Sequence, residues 1–260
     1  QWGYYGSPPS RSSFAMQALV VKHFLYGGYY PVGGSQEIAN QLLRTVALGG
    51  GWTRVNASVN EILVQKRKAV GVRLDTGEEI LAKRVISAVG AVATTQRLLP
   101  QEYRQQEWAS KIARLSPAPA HVCLYIGLKG DIRKASASGA NKWFYNTWDN
   151  EMDVWEVSPD KPLGDTPCLY CSFPSLKDPT HDPGPEELNT AEVVTFVPWD
   201  AFEAWKDSSW KKRGDDYEEF KEKISKKMLE QFIERMPELK DMIEYVELST
   251  PLSTDYFCRP

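Results

Sequence analysis

Apolar positions recur with different periods along this chain, and each change of period predicts an element. Phe14 to Tyr26 reads as a helix that Ser12 or Ser13 can cap and Gly27-Gly28 would end. Ile38, Leu42, Leu43 and Val46 fall at spacings of three and four, which predicts a helix over Gln36–Leu48 with Ser35 as N-cap and one face buried. From Thr53 the period drops to two. Val55, Ala57 and Val59 alternate with polar residues, and the pattern continues over Glu61–Lys66 and Ala69–Leu74, with turns at Lys66-Arg67-Lys68 and Asp75-Thr76-Gly77-Glu78. Glu79–Arg84 then leads into the continuous apolar run Val85–Val89, which predicts a buried strand of the parallel-sheet kind ending at Gly90.

Thr94–Leu99 and Gln101–Leu115 read as helical, and Pro117 and Pro119 mark a boundary. Strands are expected at 121–128, 142–147, 153–157, 168–173 and 191–197, with a Pro/Asp/Gly-rich loop over 178–187. Ala201–Trp210 and Tyr217–Arg235 are expected helices. In the second, Tyr217, Phe220, Ile224, Met228, Phe232 and Ile233 form one apolar stripe opposite a solvated Lys/Glu face. Leu239–Tyr245 is expected to be a short helix, and Val246–Leu248 extended.

The pattern predicts a mixed α/β chain in three parts. Residues 1–26 form a helical segment packing with the last part. Residues 27–116 hold a helix, a β-meander and a buried strand. Residues 117–260 form a mixed, largely antiparallel sheet flanked by helices.

Composition narrows the chemistry. A net charge of -3 gives no electrostatic basis for nucleic acid or an anionic membrane. Nine Trp and twelve Tyr suit either large cores or a pocket for a bulky apolar ligand. Four cysteines are too few and too scattered for a disulfide scaffold, and Cys168 and Cys171 on a strand point to opposite faces, so no metal site is expected. His23, His121 and His181 are isolated, and neither a catalytic triad nor a phosphate-binding loop is present. Asp149, Glu151 and Asp153 read better as a turn than as paired carboxylates. No apolar run is long enough to span a bilayer and no signal peptide is visible. Free, mostly buried thiols point to a reducing compartment, and the expectation is a cytoplasmic or plastid-like soluble compartment, with peripheral contact to a membrane left open. The chain starts at Gln1 rather than methionine, and both ends read as cuts through a longer protein.

Gly27-Gly28-Tyr29-Tyr30-Pro31-Val32-Gly33-Gly34-Ser35 is the most informative stretch. Its glycines permit positive φ and let backbone lie against a ligand, and a helix N-terminus follows directly. From Tyr30 to Leu99 the sequence resembles the flavin-dependent phytoene desaturase, carotenoid isomerase and retinol saturase group of amine-oxidase-like flavoproteins. The resemblance rests on the Pro-x-Gly-Gly turn at Pro31, Val59-Asn60-Glu61-Ile62, Gly71-Val72, Gly77 to Ser87, and Ala88-Val89-Gly90. Downstream, Ser172-Phe173-Pro174-Ser175, Asp178-Pro179 and Thr250-Pro251 are similar to the carotenoid isomerase and retinol saturase branch.

The resemblance implies FAD as cofactor and an apolar isoprenoid substrate. It places Val59 at the adenine, Ser87, Ala88 and Gly90 near the dinucleotide, and Pro31, Gly33 and Gly34 near the flavin or substrate channel. Trp143, Tyr145, Trp155 and Tyr170, with Phe144 and Trp148 beside them, are candidates for the substrate slot. Each has a plain structural alternative as turn former or sheet core.

The chain departs from the family in lacking a Gly-x-Gly-x-x-Gly after a first strand and the closing Gly-Asp flavin segment. It is therefore expected not to hold FAD alone, and to need the missing segments of its own chain as partners. A different amine-oxidase-like substrate is the alternative chemistry. A non-enzymatic module for apolar ligands or a membrane surface is the alternative class. Phe202, Trp205 and Trp210 beside Lys211-Lys212-Arg213 would carry the membrane contact.

Overall fold

The computed structural model describes residues 9–115, 119–149 and 154–258. Along the chain run α1 (Phe14–His23), α2 (Gln36–Leu48), β1 (Val59–Gln65), β2 (Lys68–Leu74), β3 (Glu79–Leu81), α3 (Glu107–Ala113), β4 (Ala120–Lys129), β5 (Lys142–Tyr145), β6 (Cys168–Ser172), β7 (Leu188–Val197), α4 (Asp215–Arg235), β8 (Ile243–Ser249) and α5 (Pro251–Cys258), with short helical turns between them. The described residues fall into two compact units. One lies within Gln1–Asn40 and Ala118–Tyr256, the other within Gln41–Pro117 and Phe257–Pro260.

The first unit is built on a five-stranded antiparallel sheet in the order β5-β6-β7-β4-β8. Side chains alternate across its strands, so register alone sorts them by face. Val122, Leu124 and Ile126 lie opposite Thr195, Val193 and Ala191. With Leu169 and Cys171 they form the inner face and are fully or nearly fully buried. Against this face packs the predicted stripe of α4, with Tyr217, Phe220, Ile224, Met228 and Phe232 buried and Ile233 at the edge of the cluster. Each such side chain contributes roughly 1.5–3 kcal/mol through burial. Asp215, Asp216 and Glu218 occupy the first turn of α4, where the helix dipole favours negative charge.

The opposite face of the same sheet is not covered in this way. It carries His121, Cys123 and Tyr125 on β4, Phe196, Val194 and Glu192 on β7, Tyr170 and Ser172 on β6, and Trp143 and Tyr145 on β5.

The second unit contains the meander β1-β2-β3. Lys66 and Arg67 form its two-residue loop at φ 47° and 63°, the positive values that a type I′ hairpin requires. Ile62 and Leu74 are its buried apolar residues, and Arg73 bridges Glu61 and Glu79 across the three strands. Gly71 lies against β3 so closely that a Cβ there would meet the Ile80 carbonyl oxygen at 2.4 Å.

Several elements differ from expectation. Val85–Val89 forms no strand among the described residues, and Ile86 is 93% exposed. Apolar content marks a run as able to be buried, but the backbone needs neighbouring strands to form a ladder. The apolar face of α2 is also open, with Ile38, Leu42, Leu43 and Val46 all exposed among the described residues. Gln101–Leu115 breaks at Gln105–Gln106 into a short turn and α3. Residues 239–245 are not a helix. A 3₁₀ turn over Pro237–Met242 runs directly into β8, which starts at Ile243. Ala201–Trp210 is replaced by a 3₁₀ segment over Trp199–Trp205. Val154–Val157 makes no strand; Trp155 N–H donates to the Phe196 carbonyl at 2.8 Å. Pro117, Glu151 and Asp153 lie outside the described residues.

Phe202 and Trp205 do not face outward. Phe202 is fully buried against Phe220, and Trp205 packs on Tyr217 and Phe220 while its Nε1–H donates to Asp216 Oδ2 at 2.9 Å. Arg213 is buried with them. Of the residues proposed to meet a membrane, Phe202, Trp205 and Arg213 are therefore buried, whereas Trp210 is half-buried and stacks on Tyr256, and Lys211 and Lys212 are exposed. No helix among the described residues is long and apolar enough to cross a membrane.

Candidate functional site

At the β5 edge of the open sheet face lies a cavity of about 1000 Å³. Three local structures form it. The first is α1, whose start is fixed by Ser13, which accepts from the Met16 backbone N–H at 3.2 Å. Val20, Val21 and Phe24 from its C-terminal half line one wall. The second is the Gly-rich stretch after α1, where Gly28, Tyr29 and Tyr30 line the cavity. Here the Gly34 N–H donates to the Pro31 carbonyl at 3.1 Å with Gly33 at φ 87°, the positive angle at the third position of a type II turn. The third is β5 with its preceding loop, which supplies Asn141, Trp143 and Tyr145.

The aromatic wall is ordered by cross-strand pairing. Trp143 stands opposite Tyr170, their rings 4.8 Å apart and tilted by 58°. Trp143 also stacks on Tyr145 at 6.2 Å and 15°. Such pairs add roughly 0.5–1.5 kcal/mol beyond simple burial and hold the rings in fixed orientations.

One charged group lines the cavity. Lys177 Nζ donates to Asn141 Oδ1 at 2.6 Å and to Ser172 Oγ at 2.7 Å. Burial pushes its pKa down, and Glu192 on the same sheet face opposes that shift. The neighbouring Asp178 ties the Gly-rich turn to the sheet. Its Oδ1 accepts from the Gly33 N–H at 3.1 Å and from the Thr180 N–H and hydroxyl at 2.9 and 2.7 Å. Those bonds hold its carboxyl below the ordinary aspartate range, the Thr180 backbone bond contributing most.

The candidate residues divide clearly. Trp143 and Tyr145 line the cavity, and Tyr170 packs behind Trp143. Trp155 is 3% exposed in the core on the other side of the sheet, its Nε1–H donating to the Gly164 carbonyl at 3.1 Å. Phe144 turns to the core face, and Trp148 is almost fully exposed. Pro31, Gly33 and Gly34 follow directly on the residues that line the cavity. His121 lies opposite Phe196, exposed, and is not in the lining. Sequence reasoning missed Phe24, Tyr29, Tyr30, Asn141 and Lys177. The tyrosines adjoin the Gly-rich turn and were visible as aromatics beside a glycine cluster. Nothing in the sequence marks Lys177.

In the second unit, Val59 opens β1 opposite Leu74. Ser87 Oγ and Thr94 Oγ1 are 2.7 Å apart, and Thr94 Oγ1 donates to the Gly90 carbonyl at 2.6 Å. These bonds tie Ser87 to the turn that starts at Gly90. The run 85–89 forms no strand among the described residues, with Ile86 and Val89 exposed.

The described residues carry a three-stranded β-meander and a five-stranded antiparallel sheet with an aromatic cavity at its edge. The sequence profile of the flavin containing amine oxidoreductase family matches residues 3–224, and the chain belongs to that family. It is 32% identical over 98% of its length to an all-trans-retinol 13,14-reductase of Danio rerio, covering 44% of that protein. It is 29% identical over 91% of its length to a chloroplastic prolycopene isomerase of Daucus carota, covering 35% of that protein. The chain thus spans less than half the length of these relatives. An oxidoreductase from Methanosarcina mazei shares the fold at a TM-score of 0.51 and 16% identity, over 85% of this chain and 43% of that one.

Proposed function

We propose that the protein containing this chain is an FAD-dependent oxidoreductase acting on the double bonds of a retinoid, carotenoid or similar isoprenoid, by desaturation, saturation or isomerisation. The observation that carries this reading is the cavity of about 1000 Å³ walled by Phe24, Tyr29, Tyr30, Trp143 and Tyr145. A long polyene buried there gains roughly 25 cal/mol per Å² of apolar surface. The names of two relatives, a retinol reductase and a prolycopene isomerase, point to the same substrate chemistry.

Bound FAD would supply the redox chemistry. Within the second unit Val59, Ser87, Ala88 and Gly90 would hold it. Within the first, Pro31, Gly33 and Gly34 would border the substrate cavity. The open sheet face excludes water from the polyene and orients it through the stacked pair Trp143 and Tyr145. This chain alone is proposed to bind FAD weakly, since it has no Gly-x-Gly-x-x-Gly turn after a strand.

The test is to purify the full-length protein, record its visible spectrum, and incubate it with all-trans-retinol and with a poly-cis carotenoid, once with a chemical reductant of the flavin and once with an electron acceptor. A flavin spectrum is expected, with one substrate converted. The product mass separates the reactions: two hydrogens gained for saturation, two lost for desaturation, none for isomerisation. A colourless protein that takes up no added FAD overturns the reading.

A further inference from the structure

We propose that Lys177 anchors an oxygen-bearing end of the substrate, so that the cavity is built for a polyene alcohol or acid rather than for a pure hydrocarbon. The proposal rests on the cavity being the substrate site.

A lysine ammonium has three N–H donors. Two of those on Lys177 go to neutral acceptors, Asn141 Oδ1 and Ser172 Oγ. Among the described residues no carboxylate forms an ion pair with it. Glu192 lies across the sheet from Ser172 and supports the positive charge from a distance. One donor is therefore left for a ligand, on a group that borders the cavity.

The surroundings make this matter. Val20, Val21, Phe24 and Trp143 make part of the wall apolar, beside the polar atoms of Asn141 and the tyrosines, and Lys177 is the one charged group among the described lining residues. A pocket of that kind gains orientation from a small number of placed polar groups. An alcohol or carboxylate oxygen would accept the third bond and let the polyene lie along the aromatic wall. A hydrocarbon would cover the ammonium and leave that donor unmet, a loss that corresponds to roughly 10- to 100-fold in affinity for a charged donor. Asn141 and Ser172 act as positioning residues, because they hold the ammonium at the β5 and β6 edge.

The experiment measures dissociation constants by tryptophan quenching on the full-length protein. The probes are all-trans-retinol and the same polyene with its hydroxyl replaced by hydrogen. The wild type should bind the alcohol about 10- to 100-fold more tightly. Lys177→Met should remove that preference while leaving hydrocarbon affinity unchanged or improved. Lys177→Arg should restore part of it. If Lys177→Met does not fold, Lys177→Gln makes the same comparison with a neutral polar side chain. Equal binding of both probes by the wild type overturns the anchor and leaves the cavity reading intact. Equal weakening of both probes in Lys177→Met also overturns it, since that marks a structural role. Failure of the wild type to bind either probe overturns the cavity reading, and the anchor with it.

Discussion

The Gly33 N–H donates to Asp178 Oδ1 at 3.1 Å, joining residues 145 apart in sequence. The bond ties the Gly-rich turn to the segment that follows β6, and so fixes two borders of the cavity against each other. Gly33 sits at φ 87°, and a Cβ there would come within 3.0 Å of Glu37 Cγ, so both backbone angle and space favour glycine.

This bond has a pH signature. The Asp178 carboxyl is held below the ordinary aspartate range, chiefly by the Thr180 backbone N–H, then by the Thr180 hydroxyl and the Gly33 N–H. A carboxyl with a depressed folded pKa adds stability above its unfolded value, near 3.9, and loses it as pH falls through the folded value. The turn should therefore stay anchored at neutral pH and detach only in acid below the usual aspartate range. The amide proton shift of Gly33 should titrate with that low midpoint, and in Asp178→Asn it should stay flat. A midpoint at or above about 4 would contradict the geometry.

The stacked aromatics should govern affinity more than stability. Trp143 and Tyr145 are only partly buried, and Tyr145 is 42% exposed. Trp143→Ala is expected to weaken polyene binding roughly 10-fold or more, as loss of a large aromatic contact does. Trp155→Ala should do the reverse, lowering the thermal midpoint sharply through a core cavity worth about 3–5 kcal/mol while polyene affinity in the folded protein holds. Quenching titrations and thermal melts on both variants separate the two roles.

Those two tryptophans also show how far the sequence could be read. Both follow the same kind of strand-like pattern, and both were candidates for the slot. Which face each takes depends on register with β6 for Trp143 and on a single backbone bond to Phe196 for Trp155, and neither is written locally. The α4 stripe and the Lys66-Arg67 hairpin were legible because period and turn chemistry are local. The start of β8, Ile243 to Tyr245, was not, because its strand identity comes from pairing with β4. Lys177 was invisible because its meaning lies in Asn141, 36 residues away, and in the aromatic wall.

The thiols should divide three to one. Cys123, Cys168 and Cys171 are buried, and burial pushes their pKa values up to about 12, about 11 and about 12. Cys258 is exposed. The thiolate is the reactive form, so at pH 8 a small alkylating reagent should modify Cys258 rapidly and the other three only after denaturation. Intact mass after brief labelling reads this directly, and rapid modification of Cys123 would contradict its burial.

Arg213 should prove a structural keystone rather than part of a surface basic patch. It is 9% exposed, and its guanidinium donates to the Trp205 and Ser208 carbonyls at 3.3 Å, to Ser208 Oγ at 3.0 Å and to the Leu252 carbonyl at 3.3 Å. It also lies 5.5 Å from the centre of the Tyr217 ring. It thus joins the segment before α4 to the start of α5. Lysine cannot reach several acceptors in one plane, so Arg213→Lys should cost about 1–3 kcal/mol. The exposed neighbour Lys212→Ala should stay within about 0.5 kcal/mol. Urea unfolding with an unchanged slope gives both values. Equal, small effects at the two positions would contradict the burial of Arg213.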